Sequence, residues 1–133
     1  MERCHGMNKS GTLEFGFCKA TMVNADHSSS CGMHNGLLHD GGNAAGFVIR
    51  FPSGVTVYHS GDTGIFGDMA LIDELYKPSH LLLTIGGKFT MGPEEAAYAC
   101  AKMFKHARVV IPMHFGTFPL LPGTFEDFKR CID

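Results

Sequence analysis

The chain has no apolar run near the roughly 18 residues a membrane span requires. Behind its first residues, Met1-Glu2-Arg3-Cys4-His5, there is no apolar stretch that reads as a signal peptide. It also lacks an excess of one charge. Lys and Arg number 11 against 13 for Asp and Glu, a net charge of −2, and that balance offers no cationic footprint to a phosphate backbone. Neither nucleic acid nor membrane is expected as a partner. Internal repeats, charge blocks and low-complexity tracts are missing. Five cysteines at scattered spacings suit reduced thiols in a cytoplasm better than a disulfide framework. There is no G-x-S-x-G and no cysteine in the setting of a nucleophile.

What remains is a chain of 133 residues, enough for one domain. Hydrophobic residues make up 44% and charged residues 18%, a composition that buries a core rather than staying disordered. Glycine and histidine stand out. There are 17 glycines in 133 residues, about 13% against a usual 7% or so, and 8 histidines. Together they point to tight loops that carry polar chemistry.

Residues 12–25 (TLEFGFCKATMVNA) alternate loosely and read as two short strands hinged near Gly16. Residues 26–45 are polar and rich in Gly, Ser, His and Asn, and read as a long loop, functional or disordered rather than a simple connector. FVIRF and VTVYH flank Pro52-Ser53-Gly54, a hairpin signal. Strands and helices then alternate. Residues 68–76 place Met69, Ile72 and Tyr76 on one helical face and stop before Pro78. LLLTI at 81–85 is a continuous apolar run, expected of a strand buried on both faces. Pro93 opens a second helix with Glu94 and Glu95 in its first turn, and this helix should bury Ala96, Cys100, Met103 and Phe104. VVIP at 109–112 reads as another buried strand. Thr124 with Asp127 resembles a capping box that opens a last helix with Phe125, Phe128 and Ile132 on its apolar side. The expected class is α/β, a sheet covered by helices.

Four of the six predicted strands end in a polar loop: Asp26-His27-Ser28, Ser60-Gly61-Asp62-Thr63-Gly64, Gly86-Gly87-Lys88 and Met113-His114-Phe115-Gly116. In α/β sheets, ligand sites form at the carboxyl ends of strands, where such loops gather. His27, Asp62 and His114 are residue types that bind a borderline metal, imidazole nitrogens and a carboxylate. No local spacing such as H-E-x-x-H supports them. Taken singly, each also reads as a loop histidine, a turn aspartate and a histidine after a strand. Lys88 is either a grip on a substrate carboxylate or phosphate or a solvated loop lysine. Cys31-x-x-His34 with His39, and Cys4-His5, form only half-motifs for structural zinc. His59 sits at a strand end, where packing or support of the loop beyond it is expected. His80 and His106 read as surface residues. Gly41-Gly42-Asn43 lacks the strand-turn-helix context of a phosphate loop.

MNKSGTLEF, MVNADHSSS, GGNAAGFVIRF, YHSGDTGIFGDM, IGGKFTMGPEEAA and VVIPMHFGTFPLL resemble, in this order, segments of the metal-dependent hydrolases of the metallo-β-lactamase superfamily. The nearest subgroup is the cytoplasmic one related to ascorbate-6-phosphate lactonase. The resemblance runs from about Met7 to Phe128. It implies an αβ/βα sandwich with a one- or two-metal site on its rim. It also implies His27, a bridging Asp62 and His114 as metal ligands; on the enzyme reading Lys88 is the substrate contact. The cofactor implied is a divalent metal, zinc first and manganese second. The reaction implied is attack of a metal-activated water on an ester, lactone or phosphoester bond of a small molecule, with Asp62 in the catalytic centre.

One departure is large. The family's main ligand run, H-x-H-x-D-H, occurs nowhere in this sequence. Residues 1–133 therefore read as a single partial domain, the C-terminal half of the sandwich: a mixed sheet with helices on one side. Such a half needs an N-terminal half or a partner chain. The alternative is a non-catalytic remnant that acts as a binding or assembly module.

Overall fold

Six of the strands form one mixed sheet, in the order β1-β2-β5-β6-β7-β8, and the other two form a separate hairpin. The computed structural model describes residues 4–132. Along the chain run β1 (Thr12–Glu14), β2 (Lys19–Asn24), β3 (Ser30–His34), β4 (Leu37–Asp40), β5 (Ala45–Arg50) and β6 (Thr56–His59). Then come α1 (Met69–Tyr76), β7 (His80–Thr84), α2 (Pro93–Lys102), β8 (Val109–Met113) and α3 (Phe125–Ile132).

The two strands expected around Gly16 are β1 and β2, paired antiparallel with Leu13 opposite Ala20; Gly16 supplies the turn at φ 77°. β5 and β6 form the expected hairpin. Beyond β6 the pairing becomes parallel, β6 with β7 and β7 with β8. Helices α1 and α2 are the crossovers that a parallel connection requires. α1 ends at Lys77, whose left-handed φ of 48° lets its N–H reach the Asp73 carbonyl before Pro78. α2 opens on Pro93, with the Glu95 carboxylate accepting the Gly92 N–H at 3.2 Å. The capping box of α3 is also present: Thr124 Oγ1 accepts the Asp127 N–H at 3.1 Å and donates to the Asp127 carboxylate at 2.7 Å. That hydroxyl, ahead of Arg130, holds the Asp127 carboxyl below the usual carboxylate range.

Four expectations are corrected. Residues 26–45 are not one long loop, because β3 and β4 pair across Asn35-Gly36, both at positive φ (51° and 75°). That geometry selects Asn-Gly in tight hairpins. LLLTI is buried on both faces only toward its end: Leu81 and Leu83 are fully buried on one face, whereas on the other Leu82 is half-buried and Thr84 fully buried. β8 is an exposed edge strand, with Val109 41% and Ile111 48% accessible. Of the apolar side of α3, only Phe128 is buried. His106 also does more than sit at the surface. Its backbone N–H and Nδ1, with the Lys105 N–H, bond the buried Asp73 carboxylate at 2.8–3.2 Å and tie α1 to the turn before β8.

One face of the sheet carries the core. Val23, Val48, Tyr58, Leu81 and Leu83 pack there against Met69 and Ile72 of α1, Ala96 and Ala99 of α2 and Phe128 of α3, in one cluster. The helices thus cover a single side, as expected. On the other side the register aligns Leu13, Ala20, Ile49 and Val57 in one row, and Met22, Phe47, His59, Leu82 and Ile111 in the next. None of these residues is buried. This apolar face lies bare.

Tyr58 is an internal inconsistency in an otherwise apolar core. It is fully buried and stacks on Phe104 with ring centroids 5.1 Å apart. Its hydroxyl has no hydrogen-bond partner among the described residues, and burial pushes the phenol well above its ordinary range. A buried donor left unpaired costs about 1–3 kcal/mol. Tyr58→Phe is therefore expected to stabilise the fold by about 1 kcal/mol, or roughly 4 °C in melting temperature. Side-by-side thermal melts check this; a lower melting temperature would show that the hydroxyl is satisfied.

Candidate metal centre

Strand direction assembles this site. β2 runs antiparallel to β5 and β5 antiparallel to β6, so β2 points the same way as β6, β7 and β8. The carboxyl ends of all four strands therefore share one edge. The loops that follow them bring His27, Asp62, Lys88 and His114 to the lining of one cleft of about 770 Å³.

Asp62 follows Gly61, whose φ of 64° and close approach suit glycine alone; a Cβ there would sit 2.4 Å from the Ala45 carbonyl oxygen. The Gly61 N–H donates to His59 Nδ1 at 3.1 Å, so His59 supports the loop as its position suggests. The Asp62 carboxylate is half exposed, and its Oδ2 lies 3.4 Å from His114 Nε2. His114 holds a left-handed φ of 56°, a conformation that a bulky residue rarely adopts and that clusters at functional sites. Gly86 makes room for it: a Cβ at Gly86 would fall 2.1 Å from the His114 carbonyl oxygen and 3.2 Å from Nδ1. His27 donates from Nδ1 to the Ser28 carbonyl at 2.6 Å. Lys88, at φ 56°, is exposed with its ammonium 5.4 Å from the centre of the Phe89 ring.

Asp62 and His114 are thus brought together. His27 and Lys88 share their cleft without joining the pair, and among the described residues no three His, Cys, Asp or Glu side chains converge closely enough to hold a metal. Asp26 and Glu95 add two carboxylates to the lining. Sequence reading passed over both; the position of Asp26 beside His27 was the signal available. The half-motifs lie elsewhere. His34 and His39 come within 5.9 Å, ring centre to ring centre, on the exposed β3–β4 hairpin, while Cys31 leans on the Asp40 carbonyl. His5 stacks edge-on against Phe15. Gly42 donates its N–H to the Asp40 side chain and forms no phosphate loop. Burial pushes the Cys100 thiol up to about 11, far from a reactive thiolate.

The sequence matches the beta-lactamase superfamily domain over residues 1–115. The chain belongs to that superfamily. A metal-dependent hydrolase of Rubrobacter xylanophilus is 49% identical over 130 residues, which is 98% of this chain and 53% of that protein. Among solved structures, the metallo hydrolase Igni18 of Ignicoccus hospitalis superposes with a TM-score of 0.79 at 36% identity, over 96% of this chain and 52% of its own. A metallo-beta-lactamase fold protein of Bacillus subtilis superposes at 0.66 and 15% identity, over 95% of this chain and 47% of its own, and shows the fold alone. This superfamily chain therefore spans about half the length of the relatives it matches.

A divalent metal fits the donors of this superfamily chain in part. His27 has its tautomer fixed by a carbonyl, which leaves Nε2 free as a donor, the usual arrangement for a ligating histidine. The 3.4 Å between Asp62 and His114 is close to the roughly 3.3 Å that separates two ligands of a tetrahedral zinc. His114 Nδ1 is buried with no partner among the described residues, and a ligating histidine needs an acceptor for that N–H.

Proposed function

We propose that this chain is the C-terminal half of a metallo-β-lactamase sandwich. Joined to a half that carries H-x-H-x-D-H, it acts as a metal-dependent hydrolase on an ester, lactone or phosphoester bond of a small molecule. The observation that carries the reading is the Asp62–His114 pair at 3.4 Å, set in a cleft that His27 and Lys88 also line. His27, a bridging Asp62 and His114 would hold zinc, with manganese second. When bound, the metal lowers the pKa of water to supply a nucleophile and offsets charge that develops on the attacked oxygen. Asp62 balances part of the cation's charge. Lys88 contacts an anionic group of the substrate, its stem held over Phe89. The likeness to the lactonase subgroup favours a lactone or a phosphorylated substrate. The five cysteines are free thiols, in keeping with a cytoplasmic setting, and no helix among the described residues is long and apolar enough to cross a membrane.

A second reading, a non-catalytic binding or assembly module, draws on one observation: no three ligands converge among the described residues. Zinc titration separates the two. Asp62→Ala is expected to weaken zinc binding more than His27→Ala or His114→Ala, because a bridging carboxylate serves both metal positions and carries the charge. Calorimetry on the four proteins reads the order directly. Equal, unaltered affinities across the set would remove the metal centre and leave the binding module.

A further inference from the structure

We propose that the Thr63 hydroxyl is the positioning group that sets His27 against Asp62; this rests on the metal-centre reading above. Thr63 is fully buried and lies directly after Asp62. Its Oγ1 accepts the Asp26 N–H at 2.8 Å and donates to the Gly64 carbonyl at 2.7 Å. The Gly64 N–H returns to the Asp26 carbonyl at 2.9 Å. Both backbone groups of the residue before His27 are therefore held by the Asp62 loop, one by a side chain and one by the main chain. The Thr63 carbonyl in turn accepts the Met91 N–H at 2.8 Å and the Thr84 hydroxyl at 3.4 Å. One residue thus knots the loops that follow β2, β6 and β7, three of the four that line the cleft.

The side chain's shape and its polarity have separable roles. Packing needs a small β-branched group, which valine supplies. The hydroxyl reaches across to one residue, Asp26. Removing the oxygen therefore takes away one of the two bonds that hold the His27 loop to the Asp62 loop, the Gly64–Asp26 bond remaining, while the core keeps its volume.

The experiment is a zinc titration of the chain, competed against a chromophoric chelator, with melting temperature measured in parallel. Thr63→Val is expected to weaken zinc binding about tenfold, the scale on which groups that orient a ligand act, and Thr63→Ser to keep the wild-type affinity. His27→Ala combined with Thr63→Val should bind no more weakly than His27→Ala alone, since the hydroxyl acts through that imidazole. Thr63→Ala, which also lacks the oxygen, repeats the measurement if the valine variant is not recovered folded. Additive losses in the double variant, or equal loss in the serine variant, would assign Thr63 a purely structural role. A loss in His27→Ala with none in Thr63→Val overturns the positioning claim alone. No loss in His27→Ala removes His27 from the metal centre and the proposal with it, and unaltered binding in Asp62→Ala and His114→Ala as well overturns the metal centre itself.

Discussion

The purified 133-residue chain is expected to run as an associated species, and to become monomeric only when the bare face of its sheet is covered. Leu13, Ala20, Ile49 and Val57, with Met22, Phe47, Leu82 and Ile111 in the adjacent row, form a largely apolar, partly exposed surface across six strands, interrupted by His59 and His80. Soluble monomers rarely expose so extended a patch. β8 adds an exposed edge at the same side of the molecule, Val109 and Ile111 being 41% and 48% accessible, and unpaired strand edges invite further pairing. Light scattering coupled to gel filtration measures the mass. A sharp monomer peak with cooperative unfolding would mean that this face does not need a cover. Charged substitutions at Ile49 and Val57, at the middle of the face, should shift the chain toward monomer while the packed side keeps its structure.

Supplying the family's N-terminal half, with its H-x-H-x-D-H run, should change metal binding and turnover more than any substitution in this chain. The proposed donors His27, Asp62 and His114, of which only Asp62 and His114 come together, would fall short of the three protein ligands usual at catalytic zinc. Structural zinc sites bind with about 10–16 kcal/mol over four ligands, so each added donor is worth roughly 3 kcal/mol, about a hundredfold in affinity. The lone chain should therefore show background hydrolysis of generic esters and phosphodiesters, and the complemented pair a tighter zinc site with measurable turnover. Zinc titration and a hydrolysis assay, with and without the second half, check both. Strong activity from the lone chain that Asp62→Ala abolishes would show the added ligands to be dispensable. No gain on complementation would favour the binding module.

Local signals in the sequence carried much of this structure. Pro93, the Thr124–Asp127 pair and the break before Pro78 mark helix ends through chemistry confined to a few residues, and each is found where it was expected. The rim was legible because strands and loops alternate, although residue spacing alone does not show that β2 points the same way as β6. Burial was read less well. LLLTI and VVIP are apolar enough for a two-sided cover, and composition does not reveal that all three helices pack on one face of the sheet. The β3–β4 hairpin was passed over because its polar composition masked Asn35-Gly36, a turn signal that was present. The joining of Asp62 to His114, and of Thr63 to Asp26, depends on contacts between loops far apart in the chain.

The strand order also sets when the site comes into being. Each strand of the large sheet lies beside its predecessor in the chain, with only the β3–β4 hairpin skipped between β2 and β5. Neighbours in the sheet are thus neighbours or near neighbours in the chain, which keeps the strand contacts comparatively local. β1, β2, β5 and β6 need no helix to pair, and they carry the loops of His27 and Asp62. β7 and β8 each wait for a crossover helix, and His114 follows β8, the last strand of the sheet. A folding intermediate that lacks β8 holds no Asp62–His114 pair, so metal capture becomes an event of completed folding rather than a nucleus for it.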